Sequence, residues 1–273
     1  MNSLLGRSAI VALLIIFGAF SLFQASWLAD TPTGGPKLVA SGPVDLPRDA
    51  RGCTSQGAAG WGAVATSPET RMLQMAAGNE ADGINIDSEL VGDIAVLPRF
   101  FAGKCPSDAS RARTPMQAAA AQLTKPDQFI SVNDAAHAKA ALAALPAHEA
   151  RIYYGPDAAT AALGDNPSFS IPAAQQCASD YGLSGMWGSV PESCQNGTML
   201  LTLGDLGMTL WGWPNRFMAR MKEANVRLIV AEDVVDGKMK GLTELSQYND
   251  IARSYNGYIW VDNIEELGPA LKR

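Results

Sequence analysis

Histidine is nearly absent from this chain of 273 residues: His137 and His148 are the only two. His137 lies inside the alanine-rich stretch DAAHAKAALAAL, and His148 just precedes a candidate strand. Neither therefore falls at the carboxyl ends of the strands, where the acid–base chemistry of a parallel α/β barrel gathers. A Gly-x-Ser-x-Gly elbow is also missing, so a serine–histidine triad has no support. The chain has no C-x-x-C, which argues against zinc ribbons and thioredoxin-like redox motifs. Lysine and arginine nowhere form a block, and 27 acidic against 21 basic residues leave a net charge of −6. Nucleic acid is not an expected partner. Apart from alanine-rich helices, internal repeats and long low-complexity runs are lacking.

Charge is absent altogether from residues 8 to 29, and Ala9 to Phe23 is almost continuously apolar. About 20 such residues suffice to cross a bilayer. A cleavage site of the Ala-x-Ala kind is missing, since Phe-Gln-Ala and Trp-Leu-Ala match it poorly. The expectation is an uncleaved transmembrane helix within residues 1–30, which makes the membrane itself a partner. Arg7 is the only basic residue among the first 36. The positive-inside rule thus puts the amino terminus in the cytoplasm and the remainder on the far side of an inner membrane, facing the periplasm or the exterior. A removed signal peptide is the alternative, and it leads to the same compartment.

Residues 31–36, TPTGGP, read as a tether, after which about 237 residues remain, a usual size for one (β/α)8 barrel. Mean hydropathy is near zero and 47% of the residues are hydrophobic, partly because of the apolar run, which fits a domain with a proper core. Cys53, Cys105, Cys177 and Cys194 make an even count, which in an exported domain points to two disulfides. Three connectivities are open. Cys53–Cys105 and Cys177–Cys194 is the favoured one, the second pair closing a short loop around Tyr181 and Trp187.

Apolar runs alternate with helical patterns throughout. Strands are expected at 37–41, 82–87, 128–132, 151–154, 168–171, 198–203, 226–230 and 257–261, with a further extended piece at 93–97. Helices are expected at 67–77, 114–123, 134–145, 157–163, 172–181, 214–224, 243–254 and 264–271. Eight such units predict a parallel sheet closed into a (β/α)8 barrel over residues 37–273.

The stretch 198–230 shows the unit most clearly. A buried strand is broken by Gly204, Asp205 and Gly207 before the ring-rich loop Leu210-Trp-Gly-Trp-Pro-Asn215. Pro214 is placed at the first helical position, and Asn225 as a left-handed stop. Trp211 and Trp213 then sit at the carboxyl ends of the strands, with two open readings: an aromatic wall of a binding site, or a cap stapling helix to barrel. Asp87, Asp134, Asp205, Glu232, Asp233 and Asp262 also fall at strand ends, and such oxygen clusters suit Mg²⁺ or Ca²⁺. Asp134 and Asp262 equally stand where helices begin and read as N-caps.

Several motifs together resemble one family. Cys177-Ala-Ser-Asp-Tyr, Val190-Pro-Glu-Ser-Cys194, Leu210-Trp-Gly-Trp-Pro-Asn-Arg-Phe-Met-Ala-Arg-Met221 and Gly257-Tyr-Ile-Trp-Val-Asp-Asn-Ile264 look like the bacterial glycerophosphodiester phosphodiesterases. Ala81-Asp-Gly-Ile-Asn-Ile-Asp87 is similar to that family's second strand, and Ser67-Pro-Glu-Thr70 to its Pro-Glu-Asn-Thr motif. The resemblance spans about residues 37 to 273. It implies a TIM barrel that splits phosphodiesters with a divalent cation and two histidines. Here the two histidine positions hold Ser41 and Pro98, the Glu-x-Asp metal pair becomes Asn85 and Asp87, and the third-strand positions hold Ser131 and Asn133. Proline cannot carry a proton, and serine without a base is a poor acid–base group. The expected function is a membrane-anchored, exported barrel that is catalytically impaired. It would bind a small polar ligand, a lipid headgroup, a glycan or a protein, with Trp211, Trp213 and Trp260 as the aromatic binding residues. The alternative is an active phosphodiesterase on glycerophosphodiesters or related lipid-derived substrates.

Overall fold

The structure, a computed structural model, describes residues 2–40, 83–87, 127–144, 151–207 and 210–271. Short apolar runs form the strands β1 Lys37–Ala40, β2 Gly83–Asp87, β3 Asp127–Ser131, β4 Arg151–Tyr154, β5 Ser168–Phe169, β6 Thr198–Thr202 and β7 Arg227–Ala231. After β7 come a hairpin, β8 Asp233–Val235 with β9 Lys238–Lys240, and the last strand, β10 Tyr258–Val261. The helices are α1 Asn2–Gln24, α2 Ala135–Ala144, α3 Asp157–Ala161, α4 Ile171–Ser184, α5 Asn215–Glu223, α6 Leu245–Tyr248 and α7 Ile264–Leu271.

All strands except the hairpin pair in parallel in one eight-stranded sheet, in the order β5-β4-β3-β2-β1-β10-β7-β6. Each strand but one thus lies beside its predecessor, and the last returns beside the first. Side chains alternate between two faces, as a pleated strand requires. Val39, Phe129, Ile152, Tyr154, Phe169, Leu200, Ile229 and Trp260 meet in one cluster, while Leu38, Ile130, Tyr153, Met199, Leu201, Val230 and Ile259 pack with the helices in another. Tyr154 on β4 and Trp260 on β10 are four ladder steps apart, about 19 Å in a flat sheet. Their ring centroids are 5.6 Å apart. The sheet is therefore curled around an apolar interior, like a barrel, and among the described residues no ladder joins β5 to β6.

Local signals account for most boundaries. The Asp134 carboxylate accepts from the amides of Ala136 and His137 and caps α2, as its position suggests. Asn225 stops α5 with φ 53°. Ser170 caps α4 by accepting from Ala173 N–H at 3.2 Å, which shortens the expected fifth strand to two residues. Asp236 and Gly237 both have positive φ and turn the β8–β9 hairpin, which the alternation did not reveal. The helix expected over 243–254 is only one turn, Leu245–Tyr248. The expected elements at 67–77, 93–97 and 114–123 lie outside the described residues. Among those residues no helix is long and apolar enough to cross a membrane, and the side chains of α1 are described from Ile10 onward.

The amino-terminal ends of the strands are stitched by polar residues. Tyr258 Oη donates to Asp127 Oδ2 at 2.7 Å, and Lys37 Nζ lies 3.1 Å from the same oxygen. Arg227 donates to Thr198 Oγ1 and Arg151 to Gln128 Oε1. Burial, then the Asp127 carboxylate, push the Tyr258 phenol up to about 12. Burial opposes the rise in the Lys37 pKa, but the hydrogen bond and charge of Asp127 prevail.

Candidate functional site

A cleft of about 580 Å³ opens between α4 and the carboxyl end of β6, lined among others by Gln175, Ser179, Leu200, Asp205, Leu210 and Trp211. Leu200 belongs to the barrel interior, so the cleft reaches inward at the seam where β5 and β6 share no ladder. The strand ends of a parallel barrel are where ligand sites form, because the βα loops there are free to vary.

The walls are held by side chains that the sequence places close together. Ile171, Ala174, Cys177 and Tyr181 recur at helical spacing and bury one side of α4. The Cys177–Cys194 disulfide, with Cα atoms 5.0 Å apart, ties α4 to the approach of β6. Beyond β6, Asp205 Oδ2 accepts from both the amide and the hydroxyl of Thr202, which fixes the turn. Trp211 Nε1 donates to Gly182 O at 2.8 Å, and Trp211 O accepts from Tyr181 Oη at 2.8 Å. Trp211 is therefore pinned to α4 by both its ring and its backbone. Burial pushes the Tyr181 phenol up against the opposing influence of Arg220.

The three tryptophans take different places. Trp211 lines the cleft and also meets Phe20 of α1 in a T-shaped contact, centroids 6.0 Å apart. Trp213 packs on Phe217 of α5 and on Tyr255, at 5.5 and 6.1 Å, so it staples helix to barrel. Trp260, expected as a binding residue, is instead wholly buried, edge-on to Phe129 and Tyr154 in the interior. It sits in the middle of β10, where the pleat sends it inward, and its indole N–H meets no acceptor among the described residues.

Glu232, Asp233 and Asp262 are each engaged by a group close by. The Glu232 carboxylate pairs with Lys240 across the hairpin, which raises the Lys240 pKa. Asp233 accepts from the Val234 amide. Asp262 accepts from the Gly241 amide, and Asn263, not Asp262, caps α7 by accepting from Glu266 N–H, a correction to the expected cap. Among the described residues no group of three His, Cys, Asp or Glu could hold a metal ion. Asn85 and Asp87 lie at the register positions of Phe129 and Ser131 on β3. Asn133 is exposed just past β3. His137 Nδ1 is 3.1 Å from Asp134, in keeping with a helix-surface role. Ser41, Pro98, His148, Cys53 and Cys105 lie outside the described residues.

A second cavity, about 600 Å³, lies at the opposite end of the strands, by Asp30, Lys37, Lys222, Arg227 and Tyr258. Lys37, Arg227 and Tyr258 are already engaged in stitching the strand starts, and the cavity lies away from the carboxyl ends, so it is a less suitable ligand site than the α4–β6 cleft. The contribution of α4 to that cleft was not foreseen, because helical spacing shows which side of α4 is buried and not what the other side faces.

No protein-family model matches the chain, and no curated protein matches it. Among solved structures it is similar to a mandelate racemase/muconate lactonizing protein from Herpetosiphon aurantiacus, with 10% identity and a TM-score of 0.39. The match covers 86% of this chain and 56% of that one.

Proposed function

We propose that the chain is a membrane-anchored, exported barrel of the glycerophosphodiester phosphodiesterase kind, impaired in catalysis, whose α4–β6 cleft binds a small polar ligand or lipid headgroup. The observation that carries the reading is the cleft itself, with the Trp211 ring and the Asp205 carboxylate on one wall and Gln175 and Ser179 on the other. An aromatic face beside a carboxylate suits a cationic ammonium headgroup. The α1 helix, with exposed apolar side chains from Ile10 to Phe17, supports the anchor. Ser41 and Pro98 at the two histidine positions support impairment, since one proton relay contributes about 10² to 10⁴ in rate. Where Mg²⁺ or Ca²⁺ takes part, Asp87 with Asn85 beside it is the pair that would hold it, and the metal would polarise a phosphoryl oxygen.

The test uses the full chain in detergent, since Phe20, Phe23, Gln24 and Ser26 dock on the barrel. Release of glycerol 3-phosphate from glycerophosphocholine and glycerophosphoethanolamine is expected to be feeble with or without Mg²⁺ or Ca²⁺. Robust metal-dependent turnover abolished by Asp87→Ala would establish the active alternative. Calorimetric binding of glycerophosphoethanolamine should weaken about ten-fold or more in Ser179→Trp, which fills the cleft from an exposed helix position. Equal affinity in both proteins would remove the cleft from the reading.

A further inference from the structure

We propose that the face of the domain around the exit of α1 rests on the bilayer, with Trp27, Leu28, Leu183 and Trp187 in the headgroup layer. This proposal rests on the anchor reading above and adds to it a surface of the folded domain. Trp27, Trp187 and Leu183 are 74%, 72% and 76% exposed, values unusual for the largest apolar side chains. They belong to neighbouring segments that are bound together. Gln24 Nε2, at the end of α1, donates to the carbonyls of Gly185 and Met186, in the turn between Leu183 and Trp187. The Phe23 ring lies over Gly188, whose φ of 79° and missing side chain leave room for it. Ser26 Oγ then accepts from the Asn215 amide and sets the one-turn helix Ser26–Leu28 that carries Trp27.

The chemistry of this surface points to lipid. None of the four side chains is charged, and the nearby cations Arg216 and Arg220 are drawn over the Phe23 ring, at 5.4 and 5.0 Å from its centroid. Tryptophan, with an apolar body and one N–H, is the residue most at home at a membrane interface. The surface is also continuous with α1. Trp27 follows ten positions after Phe17, where the exposed run from Ile10 ends, and Phe20 and Phe23 between them make ring contacts with the domain. Wherever that run enters hydrocarbon, Trp27 and Trp187 are held at its edge. Leu183 also lines the α4–β6 cleft, so the same seating turns the mouth of the cleft toward lipid.

The test is made on the full chain reconstituted in phosphatidylethanolamine/phosphatidylglycerol vesicles carrying brominated lipids. The Ile10–Phe17 run contains no tryptophan, so quenching reports the domain. Quenching by lipids brominated near the headgroup should be about two-fold weaker in Trp27→Gln/Trp187→Gln than in the unsubstituted chain. Near-ultraviolet circular dichroism of the same variant checks that the fold persists, and Leu183→Gln alone should lower the quenching of the remaining indoles. Equal quenching in all proteins overturns the proposal. So does quenching that disappears when protein is diluted in excess lipid, which would assign the surface to contact between copies of the chain. Alkaline extraction separates this failure from that of the anchor reading: release of the unsubstituted chain from the vesicles would remove the anchor, whereas retention without quenching would remove the surface contact alone.

Discussion

Arg220 is buried with the Phe23 ring on one side and neutral oxygens at its guanidinium. Its Nη1 reaches Gln24 Oε1 at 3.0 Å, Tyr181 Oη at 3.2 Å and the carbonyls of Gly185 and Trp211 at 3.3 and 3.4 Å. A guanidinium tolerates such a place when several neutral dipoles together share the task of one anion. The residue thereby joins α1, α4, the Trp211 loop and α5. Arg220→Met keeps much of the volume and leaves those oxygens unmatched, so a loss of about 2–3 kcal/mol is expected in denaturant unfolding. Hydrogen exchange should quicken at the Leu28 and Asn215 amides, which close onto Ala25 and Ser26. Unchanged protection there would mean that Arg220 does not hold the segment.

At the scale of elements, the Cys177–Cys194 bridge spans 17 residues and fixes α4 against the entry to β6. A closed loop of this size is worth about 3 kcal/mol, so Cys177→Ala/Cys194→Ala should melt roughly 6–12 °C lower than the unsubstituted chain. A shift under two degrees would show that packing on Tyr181 suffices without the bridge. This pairing was legible because it closes a short stretch, as were the caps Asp134 and Asn225, which act within a few residues. The first turn of α5 was legible only in part. Pro214 precedes the helix, through a cis bond to Trp213, and the Asn215 amide is satisfied by Ser26, 189 residues away. The expected helix at 243–254 fails after one turn because Asn249 and Asp250 favour turns and Tyr255 is drawn back to the Tyr258 carbonyl. In the candidate site, Trp211 was legible from its loop, whereas the fate of Trp260 was not. A tryptophan in a strand looks the same in sequence whether its pleat faces a cavity or a filled interior.

For the whole molecule, the polar stitching at the strand starts makes stability depend on alkaline pH. The folded chain keeps the Tyr258 proton up to about 12, whereas an unfolded chain loses it near 10.0, so the folded state binds more protons in between. The resulting stability is present below about 10 and lost as pH rises toward 12; the raised Lys37 acts in the same sense. Melting temperatures should therefore fall over that window, and less steeply in Tyr258→Phe. Parallel slopes would show that Tyr258 carries none of the dependence.

The contact between Gln24 and Arg220 joins residues 196 apart, and β1 finds one of its two neighbours only in β10. At a synthesis rate of about 5–20 residues per second, the segment holding Gln24 waits on the order of ten to forty seconds for its partner to be made. During that time Phe20, Phe23 and the outer edge of β1 have no native surface to rest on. The segment around Gln24 is thus made long before its partners and is among the last to be settled, so completion of the barrel is timed by the arrival of Arg220 and β10.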